Sequence, residues 1–437
     1  MKQLVVISCP IDTYSGYGAR SRDIVKALLK ENKYDIKILS QRWGSTPYGF
    51  LQADNAEHKQ ILDCILQQPS LPKQPDIWIQ ITVPNEFQPV GKYNIGITAG
   101  IETTLCDVAW IEGCNRMNLI LVSSNHAKKV LEANAFEKRD KNTNQLIETV
   151  KLNKPVEVLF EGVDTNIYQK IDAVNDSEVW DVIDSIEEDF NFLYVGHWLQ
   201  GEIGQDRKDT GMLIKIFLET FKGKGKKPGL ILKTSSGNYS IMDRDGILEK
   251  INKIREAVGD DGTLPNIYLF HGELSDGEIN ELYNHPKVKA HVTFTKGEGY
   301  GRPLIEASIS AKPVVASNWS GHTDFLDKEM SVLLTGKLTP IHSSAVVKNL
   351  LVEGSEWFTV DYKAASETLK DIYKDYKKYL DGAKRQAYRS RTEFSLEKMA
   401  EKLNAIFEEK LPKQVALKLP QLKKVELPQI KKIEDAE

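Results

Sequence analysis

The densest chemistry in the sequence lies between Thr295 and Glu306, TKGEGYGRPLIE. Gly297, Gly299 and Gly301 allow a tight turn whose amides converge just before a helix, and Pro303 suits that helix's first turn. Free N–H groups and the positive dipole end make a helix start attractive to phosphate. Glu298 falls in the loop and Glu306 about one turn into the helix, so one carboxylate can face a sugar while the other reaches a ribose. Each can accept two hydroxyl hydrogen bonds. A second glycine cluster, Ser15-Gly16-Tyr17-Gly18, lies closer to the start of the chain.

Those residues need a scaffold, and the hydrophobic pattern supplies one. Leu4–Ser8 is an apolar strand ending in the first glycine cluster, and Ala19–Lys30 then shows helical spacing. Asp35–Ser40, Asp76–Ile81, Tyr93–Thr98 and Leu119–Ser123 read as further strands, and His126–Asn134 as a helix capped by Ser124 or Asn125. After an acidic stretch, Asp172–Asp189, expected to be an exposed bridge, the pattern restarts. Phe192–Gly196, Gly229–Thr234, Ile267–Phe270, Ala290–Phe294 and Pro313–Ser317 read as strands. Helices are expected at 211–221, near 276–284 and from Pro303. Strand, glycine loop, helix, repeated, is the signature of a parallel sheet covered on both faces.

EGYGRPLIEA resembles the E-x7-E signature of the retaining glycosyltransferases of family four. Four further stretches are similar to the same family in the same order: VEVLFEGVDTNIY from Val156, VGHWLQGEIGQDRKDTGMLIKIF from Val195, PVVASNWSGHTDFL from Pro313 and FSLEKMAEKL from Phe394. The resemblance implies the GT-B fold, two Rossmann-like α/β domains facing across a cleft, with a C-terminal helix crossing back to the first domain. It implies an acceptor-side domain over 1–170, a bridge over 171–190, a nucleotide-sugar-binding domain over 191–385, a closing helix over 386–410 and a tail over 411–437. It also implies roles. Glu298 would contact the donor sugar, the backbone of Gly299, Tyr300 and Gly301 beside Arg302 the diphosphate, and Glu306 the ribose. Gly16, Tyr17 and Gly18 would approach from the opposite wall as a loop, with Lys208 and Arg207 as diphosphate cations.

Two positions depart from the family pattern. Many members carry arginine where this chain has His197, a poorer phosphate clamp, so Arg207 is expected to supply the second charge. Many also carry a histidine after the fourth strand; here Glu102 is the polar substitute. The implied reaction transfers a sugar from a nucleotide diphosphate sugar to a saccharide, lipid, protein or DNA hydroxyl, without cofactor or metal. A catalytically silent nucleotide-sugar binder and an epimerase of the same architecture are the alternatives.

Composition narrows the classes. The 437 residues hold 58 Lys and Arg against 62 Asp and Glu, net −4, so bulk positive charge for nucleic acid is absent. The longest apolar runs fall far short of a membrane span, the start lacks a secretory pattern, and Cys9, Cys64, Cys106 and Cys114 show no CxxC spacing. A cytoplasmic protein with reduced thiols is expected. HExxH, GxxxxGK[ST] and GxSxG are absent, while Asp243-Arg244-Asp245 fits a metal-binding DxD but is expected to be a surface turn. Trp43, Trp78, Trp110 and Trp198 could stack on a base or sugar, with core packing the default. From Lys410 to Glu434 three Leu-Pro octads carry seven lysines and two glutamates, a basic arm suited to docking on a partner or anionic surface.

Overall fold

The computed structural model describes residues 2–71, 73–174 and 176–412. The first half builds strands β1 (Gln3–Cys9), β2 (Tyr34–Ser40), β3 (Ile77–Ile81), β4 (Tyr93–Thr98) and β5 (Leu119–Val122), then an exposed antiparallel hairpin of β6 (Ala135–Arg139) and β7 (Leu146–Lys151), and β8 (Val156–Val158). Helices α1 (Gly16–Glu31), α2 (Ala56–Leu62), α3 (Val108–Arg116) and α4 (Asn125–Ala133) connect them. The six-stranded sheet runs β2-β1-β3-β4-β5-β8 and every pairing is parallel. Both faces are covered, which is why β1 is apolar without alternation: Val5, Val6 and Ile7 are all fully buried.

The second half repeats the plan. A short helix, α5 (Glu178–Asp184), precedes β9 (Asn191–Val195), β10 (Gly229–Lys233), β11 (Ile267–Phe270), β12 (Val288–Val292), β13 (Val314–Ser317) and β14 (Val332–Leu334). Their parallel order is β11-β10-β9-β12-β13-β14. Helices α6 (Thr210–Phe221), α7 (Ile241–Val258), α8 (Asp276–Asn284) and α9 (Arg302–Ile309) complete it. An antiparallel pair, β15 (Gly336–Pro340) and β16 (Glu356–Val360), and helices α10 (Tyr362–Lys374), α11 (Lys377–Glu393) and α12 (Leu396–Lys410) follow. These are the two Rossmann-like sheets of the GT-B fold.

The strand orders locate the site before any side chain is considered. In the first sheet the order reverses between β1 and β3, in the second between β9 and β12. Ligands of doubly wound sheets bind beyond the carboxyl ends of strands at such switch points. The glycine cluster after β1, the 196–209 loop after β9 and the Glu298 loop after β12 all emerge there.

Four local expectations need correction. Gly16, Tyr17 and Gly18 do not form a loop: they are the first turn of α1, because Ser15 caps the helix by accepting the Gly18 N–H at 2.9 Å. The 172–189 stretch is only partly exposed, since Val179, Ile183 and Ile186 are buried and Trp180 donates its indole N–H to Glu281 O at 3.1 Å. Asp243 and Asp245 lie in the first turns of α7 rather than in a surface turn, with Asp243 accepting from Ser236 N–H and 2.9 Å from His271 Nε2. The segment expected as one closing helix over 386–410 is broken. Around Phe394 and Ser395 the backbone pairs with Val163 in both directions, at 2.9 and 2.8 Å, and a Cβ on Gly162 would sit 2.5 Å from Leu396 Cα. Helix α11 packs on α9 and α12 returns to α1.

Candidate active site

Glu298 sits 7% exposed where the two domains meet. Lys208 Nζ pairs with its Oε1, Arg207 Nη1 lies 3.3 Å from its Oε2, and Thr295 Oγ1 donates to Oε1 at 2.7 Å. Burial alone would raise this carboxyl's pKa. Lys208 and Arg207 overcome that and hold it at about 2. The loop itself is tied down from below: Ser320 Oγ accepts the Glu298 N–H at 2.9 Å, and the Gly321 N–H donates to Glu298 O at 2.9 Å.

The cations are fixed from behind. Lys296 N–H donates to Arg207 O at 2.7 Å, and Arg207 Nη1 donates to Gly297 O at 2.8 Å, so the two loops grip each other. Beneath them Lys296 Nζ lies 3.2 Å from Asp209 Oδ2, both side chains out of water, and Tyr362 OH donates to the same carboxylate at 2.7 Å. Asp206, beside them, is pushed up to about 7 by burial and then by Asp209. His197 is exposed, with Nδ1 3.1 Å from Ser235 Oγ.

The opposite wall comes from the first domain. Tyr17 OH is 2.9 Å from Thr98 Oγ1 and accepts the Ala99 N–H at 3.1 Å. Glu102 reaches Arg207 Nη1 at 3.7 Å. Here glycine is required: a Cβ on Gly297 would stand 2.0 Å from Glu102 O, and one on Gly299 2.6 Å from Ala99 O. The seam extends to Thr104 and Glu356, which exchange two hydrogen bonds of 2.9 Å.

Glu306 occupies a separate cluster. It is 9% exposed and 3.5 Å from Arg302 Nε, one turn earlier on α9, whose cap is Gly301. Arg302 also pairs with Asp23 at 2.6 Å and lies 3.5 Å from Glu161, both from the first domain. Burial raises Glu306 to about 7, opposed by Arg302 and reinforced by Asp276, Asp23 and Glu161. Tyr300 is buried at the same interface, its ring 4.9 Å from Phe325.

Glu298, Lys208, Arg207 and Glu102 thus converge in one site, joined by Gly299 and Tyr17 through Ala99. Arg302 and Glu306 are drawn together beside it, with the charge of Arg302 engaged by carboxylates. The unforeseen members are Asp23, Glu161, Thr295, Lys296, Asp209 and Ser320. A signal existed for one of them: Arg20, Arg22 and Asp23 crowd three charges into the first turns of a helix, and all three prove buried. Ser320 adopts φ +77°, which no pattern announces. Among the described residues no group of three or more His, Cys, Asp or Glu is arranged to hold a metal, and no helix is long and apolar enough to cross a membrane.

No protein-family model and no curated protein sequence matches the chain. Solved structures do. A glycosyltransferase from Rickettsia africae superposes over 94% of this chain and 100% of its own, with TM-score 0.62 and 13% identity. Sucrose-phosphate synthase from Thermosynechococcus elongatus covers 93% of this chain and 98% of its own, with TM-score 0.62 and 12% identity. Anabaena HepE in complex with UDP and glucose covers 93% and 99%, with TM-score 0.57 and 12% identity. The fold is therefore that of the GT-B glycosyltransferases.

Proposed function

We propose that the chain is a retaining, metal-independent glycosyltransferase that moves a sugar from a nucleotide diphosphate sugar to an acceptor hydroxyl. The observation that carries this reading is Glu298 held between Lys208 and Arg207 at the switch-point ends of the second sheet, with Glu102 of the first domain reaching Arg207 from across the seam. Similarity to glycosyltransferase structures supports it, and HepE's complex with UDP makes UDP-sugars the first donors to test.

In this mechanism the C1–O bond to the diphosphate breaks, and its electron pair leaves on the phosphate oxygen. The acceptor hydroxyl forms the new bond from the same face, and its proton passes to the departing phosphate. Lys208, Arg207 and the amides at the start of α9 stabilise the charge that develops on the leaving oxygen. Glu298 holds hydroxyls of the sugar, Glu306 the ribose, and Tyr17 with Glu102 closes the other wall. Burial between domains strengthens every one of these contacts.

Thermal-shift and turnover assays over UDP, GDP, ADP and their sugars test the reading, since a ligand of the folded state raises its stability. One nucleoside diphosphate should stabilise the protein and appear as product, with EDTA leaving the rate unchanged. Conversion of donor to another nucleotide sugar without acceptor would establish an epimerase instead. Binding without turnover would establish a silent binder.

A further inference from the structure

The carboxyl ends of β1 and β2 feed two loops, 10–15 and 41–50, rich in aromatic rings: Tyr14 in one, and Trp43, Tyr48 and Phe50 in the other. Asp12 binds the loops together. Its carbonyl accepts from the Gly49 and Phe50 N–H groups at 2.9 and 3.2 Å, and its carboxylate from the Leu51 N–H at 2.7 Å. The Tyr14 N–H donates to Pro47 O at 3.1 Å and the Gln41 N–H to Cys9 O at 2.9 Å. Phe50 roots the pair in the domain, with the Arg22 guanidinium 3.5 Å from its ring centre. The rings of Tyr14 and Tyr48 remain 39% and 51% exposed on this pinned surface.

Its position ties it to the candidate site. Trp43 stacks on Tyr17 with ring centres 4.0 Å apart and planes 23° apart. The hydroxyl of Tyr17 holds Ala99, whose carbonyl abuts Gly299 beside Glu298. Trp43 is therefore one ring removed from the seam where the Glu298 loop meets the first domain.

We propose that Trp43, Tyr48 and Tyr14 form a saccharide-binding platform that receives the acceptor, a role that rests on the transferase reading. A pyranose has an apolar C–H face rimmed by hydroxyls; flat rings bury that face, while polar neighbours such as Gln41, Arg42, Ser45 and Thr46 satisfy the rim. The 41–50 loop carries one cation, Arg42, too little charge to track a phosphate backbone or an anionic bilayer. Anchoring through Asp12 means that little ordering cost attends binding.

The test is retention of the full chain on a glycan array, with single-stranded DNA spots included, for wild type, Trp43→Ala, Trp43→Phe and Tyr48→Ala. The wild type should retain a defined set of glycans. Tyr48→Ala, at a half-exposed ring, should weaken retention about tenfold, Trp43→Ala should weaken it at least as much, and Trp43→Phe should recover most of it. If Trp43→Ala fails to fold, as its unfolding midpoint would reveal, Tyr48→Ala decides. Retention unchanged in the alanine variants, or DNA retained and no glycan, overturns the platform. Turnover of donor by the wild type reports separately on the transferase reading: turnover with no glycan retained would leave that reading standing and remove the platform.

Discussion

Glu298 and Glu306 belong to one short motif, yet their surroundings are opposites. Glu298 is met by two cations and a hydroxyl and is held at about 2. Glu306 shares a single guanidinium with Asp23 and Glu161 and is raised to about 7. The first region sets two cations against one carboxylate within one domain, and Glu102 from across the cleft completes the match. The second places one cation of α9 among three carboxylates, two of them from the facing domain. Burial acts on both carboxyls in the same direction; the count of neighbouring charges decides the outcome. On the proposed reading, the matched region handles the reacting sugar and diphosphate, and the acid-rich region holds ribose hydroxyls while latching the domains together.

The harshest way to break this contrast is Arg302→Met. It removes the guanidinium that pairs directly with Asp23, Glu161 and Glu306, leaving only the longer-range attraction of Arg20 and Arg22 for Asp23 and Glu161, and should lower stability by about 3–5 kcal/mol. Chemical denaturation at pH 7.5 measures it, and a loss below about 1 kcal/mol would mean that the cluster is not the latch described. Next comes Glu298→Gln, which should reduce kcat by roughly 10²–10³, the usual cost of removing one charge-stabilising partner at a reacting centre. Steady-state release of nucleoside diphosphate checks this, with near-normal kcat the adverse outcome.

A smaller effect separates the two carboxyls by pH. An acid raised from 4.5 to about 7 holds more protons folded than unfolded in that window, so its contribution to stability falls as pH rises through it. Glu306→Gln, which stays neutral, should therefore gain on the wild type by about 1–3 kcal/mol between pH 4.5 and 7.5. Glu298 has the opposite sign: its contribution is present above 4.5 and is lost as pH falls towards 2. Unfolding curves at several pH values would reveal parallel behaviour if the contrast were wrong. Smallest of all is Asp245→Asn, an exposed carboxylate on α7, expected to change stability by less than about 0.5 kcal/mol and to leave chelator resistance intact. A Mn²⁺ requirement lost in that variant would restore the DxD motif as a metal site.

Much of the scaffold was legible because buried parallel strands are apolar without interruption, as in Leu4–Ile7 and Leu119–Val122. The exposed hairpin Ala135–Lys151 and the Gly336–Val360 pair were not. Their strands are short and largely polar on the outside, and β16 is held by its place against Lys296, where the Phe358 N–H meets Lys296 O at 2.9 Å. The loop carrying Glu298 could be read from its glycines, and the structure adds why: carbonyls of Ala99 and Glu102 leave no room for a Cβ. The environment of Glu306 was hidden, since Arg302 and Asp23 are 279 residues apart and only the facing of two domains joins them. The expected docking role of the basic octads beyond Pro412 lies outside the described residues.

The division of labour between the two carboxyls is tested most directly by calorimetric titration of bare nucleoside diphosphate into Glu298→Gln and Glu306→Gln. Removing the Glu298 charge frees Lys208 and Arg207 from a competing carboxylate, so that variant should bind the diphosphate at least as tightly as the wild type. At pH 8.5, where the Glu306 carboxyl is ionised, Glu306→Gln should bind it about 1–3 kcal/mol more weakly, the loss of a charged hydrogen-bond partner. Weakened binding in Glu298→Gln together with unchanged binding in Glu306→Gln would contradict the account.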